Sequence, residues 1–159
     1  MKKLFLAIMV FTFVSLAVFA DAKQDAIDFF NKYVNAANNY DNSLGDMYAP
    51  NAVIIRQVVK PDGTTANAYT DTATYLRQMR LSAAAAKVRK YTNTYRNITA
   101  TPVQGGYKVS AERQPTGETY WLKTYQIIKK QPDGKLLITE EMMQTKVQTF
   151  LRYVKDDNK

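Results

Sequence analysis

Residues 25–56 read DAIDFFNKYVNAANNYDNSLGDMYAPNAVIIR and predict a helix, a bend, a short helical turn and a strand, in that order. In the first half, apolar residues recur at steps of three and four and so share one helix face; they are Ala26, Phe29, Phe30, Tyr33, Val34 and Ala37. The polar run NNYDNS ends this period. We expect Pro50 to stop the second helical turn, because the residue before a proline avoids the α region. The β-branched and apolar residues from Ala52 to Val59 predict a strand.

Downstream, turn residues divide the chain into one further helix and a series of strands. Thr70 or Asp71 can cap the helix by accepting a hydrogen bond from a free N–H of its first turn. The predicted apolar face of this helix consists of Tyr75, Leu76, Met79, Ala83 and Ala86. Turns rich in glycine and proline separate the predicted strands, which are Thr65–Tyr69, Lys87–Thr101, Tyr107–Gln114, Glu118–Gln131 and Leu136–Thr149.

Helices first and long antiparallel strands afterwards indicate an α+β fold. In such a fold, the N-terminal helices pack on one face of a strongly curved, mostly antiparallel sheet. We see no internal repeat and no interdomain linker, and we predict a signal peptide over residues 1–22, one domain over 23–154 and a polar tail over 155–159.

The order of elements, with the YVNAANNYD and MYAPNAV stretches, resembles the nuclear transport factor 2-like superfamily, which includes ketosteroid isomerases and SnoaL-like proteins. The resemblance covers essentially all of residues 23–154. It implies a cone, in which a bent sheet wraps the first helix and leaves a pocket at its open end. In the isomerases, a tyrosine of this helix and a protonated acid stabilise an enolate oxygen, and an aspartate is the base. That tyrosine corresponds to Tyr33, for which a plain core position is the alternative.

The sequence departs from the isomerases where their base is expected. Arg56 stands at that end of the strand, and a guanidinium cannot accept a proton at neutral pH. Glu140 and Glu141 are strand neighbours, so one of them points inward, either to pair with an arginine or to act as a catalytic acid. We assign no catalytic residue. The candidate ligand-binding residues are Tyr33, Arg56, Tyr95, Arg113 and Trp121.

The two arginines among these candidates suit an anionic ligand. If Arg56 and Arg113 point into the pocket, they can bind a carboxylate through paired hydrogen bonds. The alternative places both arginines in water at the edge of the sheet. A cavity with donors and no base can hold an oxyanion but cannot take a proton from a substrate.

Composition excludes several kinds of chemistry. The chain has no cysteine and no histidine, which rules out disulfides, zinc sites of the usual ligand types and histidine as a general base. We therefore expect no metal and no cofactor. Of 22 basic residues, 20 remain without Lys2 and Lys3, against 14 acidic residues, a net charge of +6. The basic residues are spread along the chain, which favours solubility over a nucleic-acid site.

The first residues have the order of a secretory signal peptide. Lys2 and Lys3 precede an uncharged, largely apolar run from Leu4 to Phe19, and small residues follow at Ala20 and Ala22. We predict cleavage after Ala20 or Ala22, a periplasmic or secreted protein, and no stable membrane span after processing. An uncleaved membrane anchor is the alternative, although the run is short of the roughly 20 residues that a spanning helix needs.

The predicted strand Glu118–Gln131 lacks a polar face, and this predicts an interface. Both of its faces carry apolar or aromatic residues, whereas a sheet with one wet face should alternate cleanly. We expect a second copy, or another protein, to cover the outer face. Coverage by residues 147–154 of the same chain is the alternative.

These observations favour an exported, non-enzymatic domain that binds a small anionic ligand or a protein partner. Two alternatives stay open. One is an isomerase, cyclase or dehydratase that uses Glu140 or Glu141. The other is a scaffold module of an envelope or secretion machine, which an uncleaved N-terminal segment would favour.

Overall fold

The computed structural model describes residues 21–154, which form two α-helices, two 3-10 helices and one sheet. Helix α1 covers 21–38. The later elements are a first 3-10 helix (Asn42–Met47), β1 (Tyr48–Val59), β2 (Thr65–Thr70), α2 (Thr72–Val88), β3 (Asn93–Val103), β4 (Gly106–Pro115), β5 (Leu122–Lys130), β6 (Leu136–Thr145) and a second 3-10 helix (Gln148–Tyr153).

The six strands form one sheet in the order β2-β1-β6-β5-β4-β3. Four of the five strand pairs are antiparallel, and β1 pairs with β6 in parallel. The predicted α+β fold with a mostly antiparallel sheet is confirmed. The parallel pair sets the registers Ile54↔Glu141 and Arg56↔Met143 at the centre of the sheet.

Helix α1 packs its apolar face into the concave side of the sheet. Phe30 is fully buried, with its ring 6.3 Å from that of Tyr33 and edge-on to Tyr95 at 5.5 Å. Full burial of a phenylalanine contributes roughly 1.5–3 kcal/mol. The period of three and four seen in the sequence therefore orients the first helix and carries Tyr33 into the interior.

Pro50 does not end a helical turn as expected, because the first 3-10 helix already ends at Met47. Pro50 lies instead within β1. The pairing of β1 with β6 shifts register between Tyr48 and Val53, so no ladder bond is needed at the proline nitrogen.

Three other boundaries differ from the expected ones. The alanine-rich end of α2 continues to Val88, where the sequence predicted a strand. Strand β5 begins at Leu122, so the first residues of the predicted strand Glu118–Gln131 lie outside the sheet. Strand β6 ends at Thr145, before the second 3-10 helix. Asp71 caps α2 as expected, accepting a hydrogen bond from the Thr74 N–H at 2.8 Å.

The second 3-10 helix packs against β1 and β2, and Val154 bridges Ala68. It therefore does not cover the outer face of β5. The predicted signal peptide, apart from residues 21 and 22, and the polar tail lie outside the described residues. Within 21–154, no helix is long and apolar enough to cross a membrane.

Candidate functional site

A cavity of about 380 Å³ lies between the inner face of α2, the end of α1 and the concave side of the sheet. One wall is apolar and comes mainly from α2, with Leu76, Met79, Ala83 and Ala86. This is the apolar face that the sequence predicts for that helix. The rest of the lining is largely polar. Its buried or half-buried polar side chains are Tyr75, from the first turn of α2, and Tyr33, Asn38, Arg56, Asn93, Arg113 and Thr145 from the other elements.

Glu141 is fully buried behind this polar wall, on β6. Its Oε2 accepts hydrogen bonds from the Tyr48 hydroxyl at 2.6 Å and from Gln126 Nε2 at 3.0 Å. Its Oε1 accepts from the Tyr75 hydroxyl at 3.3 Å and from Arg56 Nη1 at 3.4 Å. Both carboxylate oxygens are thus occupied, as a buried charge requires.

Arg56 reaches this carboxylate from the neighbouring strand β1. Its guanidinium also lies over the Tyr75 ring, 4.8 Å from the centroid. Burial alone would lower the pKa of Arg56, but Tyr75 and Glu141 outweigh it and hold that pKa above its ordinary value. Arg56 is therefore a permanent cation whose charge Glu141 balances.

Three tyrosines surround the carboxylate. Burial, and then the charge of Glu141, raises the pKa of Tyr33 and Tyr48 well above the ordinary value and raises that of Tyr75. The Tyr48 hydroxyl donates its hydrogen bond to Glu141, and its oxygen lies 3.4 Å from the Tyr33 hydroxyl. Tyr33 lines the cavity, where its hydroxyl can donate to a ligand.

Arg113, on β4, is the second cation of the cavity wall and is only 6% exposed. It donates from Nη1 to Asn93 Oδ1 and from Nη2 to the Gln144 carbonyl, both at 2.7 Å. These acceptors are neutral. Its Nε is buried without a hydrogen-bond partner, and no carboxylate of residues 21–154 forms a salt bridge with it. Arg113 is therefore a buried cation without a paired carboxylate among residues 21–154.

Asn38, the first asparagine of the NNYD stretch, holds the Arg113 end of the cavity in place. Asn38 donates from Nδ2 to the Asn93 carbonyl and accepts from the Asn93 N–H, both at 2.9 Å. This reciprocal pair fixes the end of α1 to the start of β3. It leaves the Asn93 side-chain oxygen free to orient Arg113.

The structure brings three of the five predicted site residues to this cavity: Tyr33, Arg56 and Arg113. Tyr95 and Trp121 do not line it. Tyr95 packs against Phe30 in the core, and its burial raises its pKa. Trp121 precedes β5, and its ring stacks under the Arg96 guanidinium at 3.9 Å. Neither Arg56 nor Arg113 lies in water, whereas Arg80, a third arginine of the lining, is exposed.

Of the two neighbouring glutamates, Glu141 is the inward one. Glu140 faces the other side of the sheet, where it accepts a hydrogen bond from the Tyr125 hydroxyl at 2.6 Å. Sequence reasoning missed Tyr48, Gln126 and Asn93. Tyr48 stands in the MYAPNAV stretch, which was available as a signal, whereas Gln126 and Asn93 are polar residues of strands with no motif to mark them.

No protein-family model and no curated protein sequence matches the chain. Solved structures do match. An NTF2-like protein with a cystatin-like fold from Novosphingobium aromaticivorans aligns over 83% of this chain and 86% of its own, with TM-score 0.61 and 9% identity. Nuclear transport factor 2 from Cryptosporidium parvum aligns over 79% and 93%, with TM-score 0.54 and 11% identity. A protein from Shewanella frigidimarina, described as a candidate ketosteroid isomerase, aligns over 73% and 91%, with TM-score 0.54 and 16% identity.

The chain therefore has the nuclear transport factor 2-like fold, and the resemblance seen in the sequence is confirmed. This fold carries both enzymes and ligand-binding proteins. At these identities the likeness extends to the fold alone, so the chemistry of this cavity has to be argued from its own residues.

Proposed function

We propose that this protein binds a small anionic ligand with an apolar body, and that Arg113 binds its negative group. The observation that carries the proposal is the unbalanced charge of Arg113 in the wall of a cavity. A buried cation without an anion is costly, and a ligand carboxylate would supply the missing charge.

The apolar part of the ligand has a matching wall. Leu76, Met79, Ala83 and Ala86 present carbon surface to the same cavity that Arg113 lines. Burial of an apolar body there would contribute about 25 cal/mol for each Å² removed from water. A monocarboxylate with a short alkyl or aromatic body fits both walls.

Binding is favoured over proton transfer because the inward acid, Glu141, has no contact with the cavity. The carboxylate that does line it, Asp41, is exposed and caps the first 3-10 helix by accepting from the Ser43 N–H at 2.8 Å. Glu141 is fully buried, does not line the cavity, and is held by four side chains. A general base must come within hydrogen-bond reach of the proton that it removes. The isomerase-type alternative would require Tyr33 to carry the proton between ligand and Glu141 by way of Tyr48.

Calorimetric titration with octanoate and with its neutral analogue octanamide tests the proposal. We expect octanoate to bind, octanamide to bind much more weakly, and Arg113→Gln to weaken octanoate about ten- to hundredfold, as for a lost charge-assisted hydrogen bond of roughly 1.5–3 kcal/mol. Arg96→Gln is the matched control, because it removes the same group from outside the cavity. Equal affinity for acid and amide, or an equal loss in both variants, would overturn the proposal.

Export belongs to the same proposal. Lys2, Lys3 and the apolar run that follows support a cleaved signal peptide. Mass spectrometry of protein recovered from the cell envelope should give a chain that begins at Asp21 or Lys23. A chain that still begins at Met1 would instead favour the membrane-anchored scaffold.

A homodimer through the outer face of the sheet also remains a proposal. Tyr125 and Ile127 lie on that face of β5 and are half-buried within one chain. Ile127→Lys should convert a dimer to a monomer in analytical ultracentrifugation without unfolding it. A monomer in the unmutated protein would remove the proposal.

A further inference from the structure

The face of α2 that points away from the cavity exposes apolar side chains. Leu81 is 78% exposed and Val88 is 84% exposed, and Ala84 and Ala85 are exposed between them. Steps of three and four place these residues on one stripe of the helix. A single exposed leucine is ordinary, but a stripe that continues over two turns marks a surface for contact.

Basic residues flank this stripe, and no acid balances them. The exposed cations are Arg77, Lys87, Arg89 and Lys90, none of which forms a salt bridge within residues 21–154. Arg80 is exposed too, but it lies on the cavity side of the helix. The sequence between Asp71 and Glu112 contains no acidic residue. The helix dipole favours cations at the last turn, which accounts for Lys87, Arg89 and Lys90. It does not account for Arg77, which lies in the first half of the helix.

We propose that this outer face of α2 docks on an anionic membrane surface. An apolar stripe flanked by arginine and lysine is the pattern of a helix that lies in the plane of a lipid interface. Anionic headgroups would balance the cations, and the acyl boundary would accept Leu81 and Val88. A nucleic acid or an acidic protein surface would use the charges but leave the apolar stripe in water.

Co-sedimentation with lipid vesicles tests this surface on the protein as purified. Vesicles of phosphatidylcholine alone are compared with vesicles that also contain phosphatidylglycerol, at low and at physiological ionic strength. The neutral vesicles account for any other apolar segment, including the run from Leu4 to Phe19. We expect binding that requires the anionic lipid and weakens with salt, since attraction near a charged surface falls off within a Debye length.

Two pairs of substitutions separate the charges from the apolar stripe. Arg77→Gln with Arg89→Gln should weaken vesicle binding about fivefold for each charge removed. Leu81→Ser with Val88→Ser should weaken it severalfold without changing its salt dependence. Both pairs alter exposed residues, and circular dichroism checks that the fold is kept.

Lys123→Gln with Lys130→Gln is the matched control, because it removes the same net charge from exposed positions of β5. We expect this pair to bind anionic vesicles nearly as the unmutated protein does. An equal loss in the control would mean that total charge, and not α2, attracts the protein, which overturns the proposal. Full binding by the serine pair would mean a polyanion site without lipid contact, and this also overturns it. Equal binding to neutral and anionic vesicles is the third contrary result.

Discussion

Two largely buried arginines line the same cavity and differ in what balances their charge. Arg56 lies 3.4 Å from the carboxylate of Glu141, whereas Arg113 contacts only a side-chain amide and a backbone carbonyl. Both side chains are largely buried, so burial does not distinguish them. The difference teaches that, in a binding cavity, the buried cation without an anion is the candidate for binding a ligand. The cation that already has an anion is part of a structural ion pair.

Removal of the balancing carboxylate should have the largest effect. Glu141→Leu leaves Arg56 buried beside three tyrosines with no anion, and we expect the free energy of unfolding to fall by about 3–5 kcal/mol in urea denaturation. The double variant Arg56→Met with Glu141→Leu should recover most of this loss, because it removes both charges together.

Glu112→Gln provides the control for that measurement. Glu112 pairs with Arg96 at 2.8 Å, but both side chains are substantially exposed. Water screens such a pair, so we expect no measurable change in unfolding. If Glu141→Leu is as harmless as Glu112→Gln, the balance between Arg56 and Glu141 does not contribute to stability and the comparison fails.

A carboxylate placed beside Arg113 should make the second arginine resemble the first. Asn93→Asp keeps the shape of the side chain that accepts from Arg113 Nη1 and adds a charge. The internal carboxylate would then compete with the ligand, and we expect octanoate affinity to fall about ten- to hundredfold. Unchanged affinity at neutral pH would place the anion elsewhere.

The tyrosines around Glu141 should have a smaller effect on stability, and this effect depends on pH. Burial and the charge of Glu141 raise the pKa of Tyr33 above its unfolded value of 10.0. Above about pH 10 the folded protein therefore holds a proton that the unfolded chain loses, and stability falls as the pH rises through that window. Below about pH 10 this contribution is complete.

Tyr33→Phe should make that fall shallower. One titrating group changes the slope by up to about 1.4 kcal/mol for each pH unit. Urea denaturation at a series of pH values above 10 measures the slope, and Tyr40→Phe serves as the control. The same slope in the Tyr33 variant and the unmutated protein would contradict the raised pKa.

Local pattern was enough to predict most elements and the inward residues. The apolar period of α1 carries Tyr33 inward, and alternation along strands places Arg113 inside and separates Glu140 from Glu141. These predictions succeeded because the period of an element fixes which face a side chain occupies.

What sequence could not predict is which inward residues meet. Arg56 and Glu141 lie 85 positions apart, and only the pairing of β1 with β6 makes them neighbours. Trp121 was misplaced for a related reason. Its predicted strand begins later than the aromatic pattern suggested, so strand alternation did not apply to it.

The parallel pairing of β1 with β6 also bears on the order in which the molecule can form. The last strand within residues 21–154, β6, lies in the middle of the sheet, between β1 and β5, while β3, from the middle of the sequence, lies at an edge. During synthesis, β1 to β5 therefore emerge before β6, the strand that joins them. The pairing of β6 with β1 is distant in sequence, and pairings of this kind make folding slow. Chain ends usually tolerate trimming. Here, loss of the residues after Lys135 would remove the centre of the sheet, and Glu141 with it.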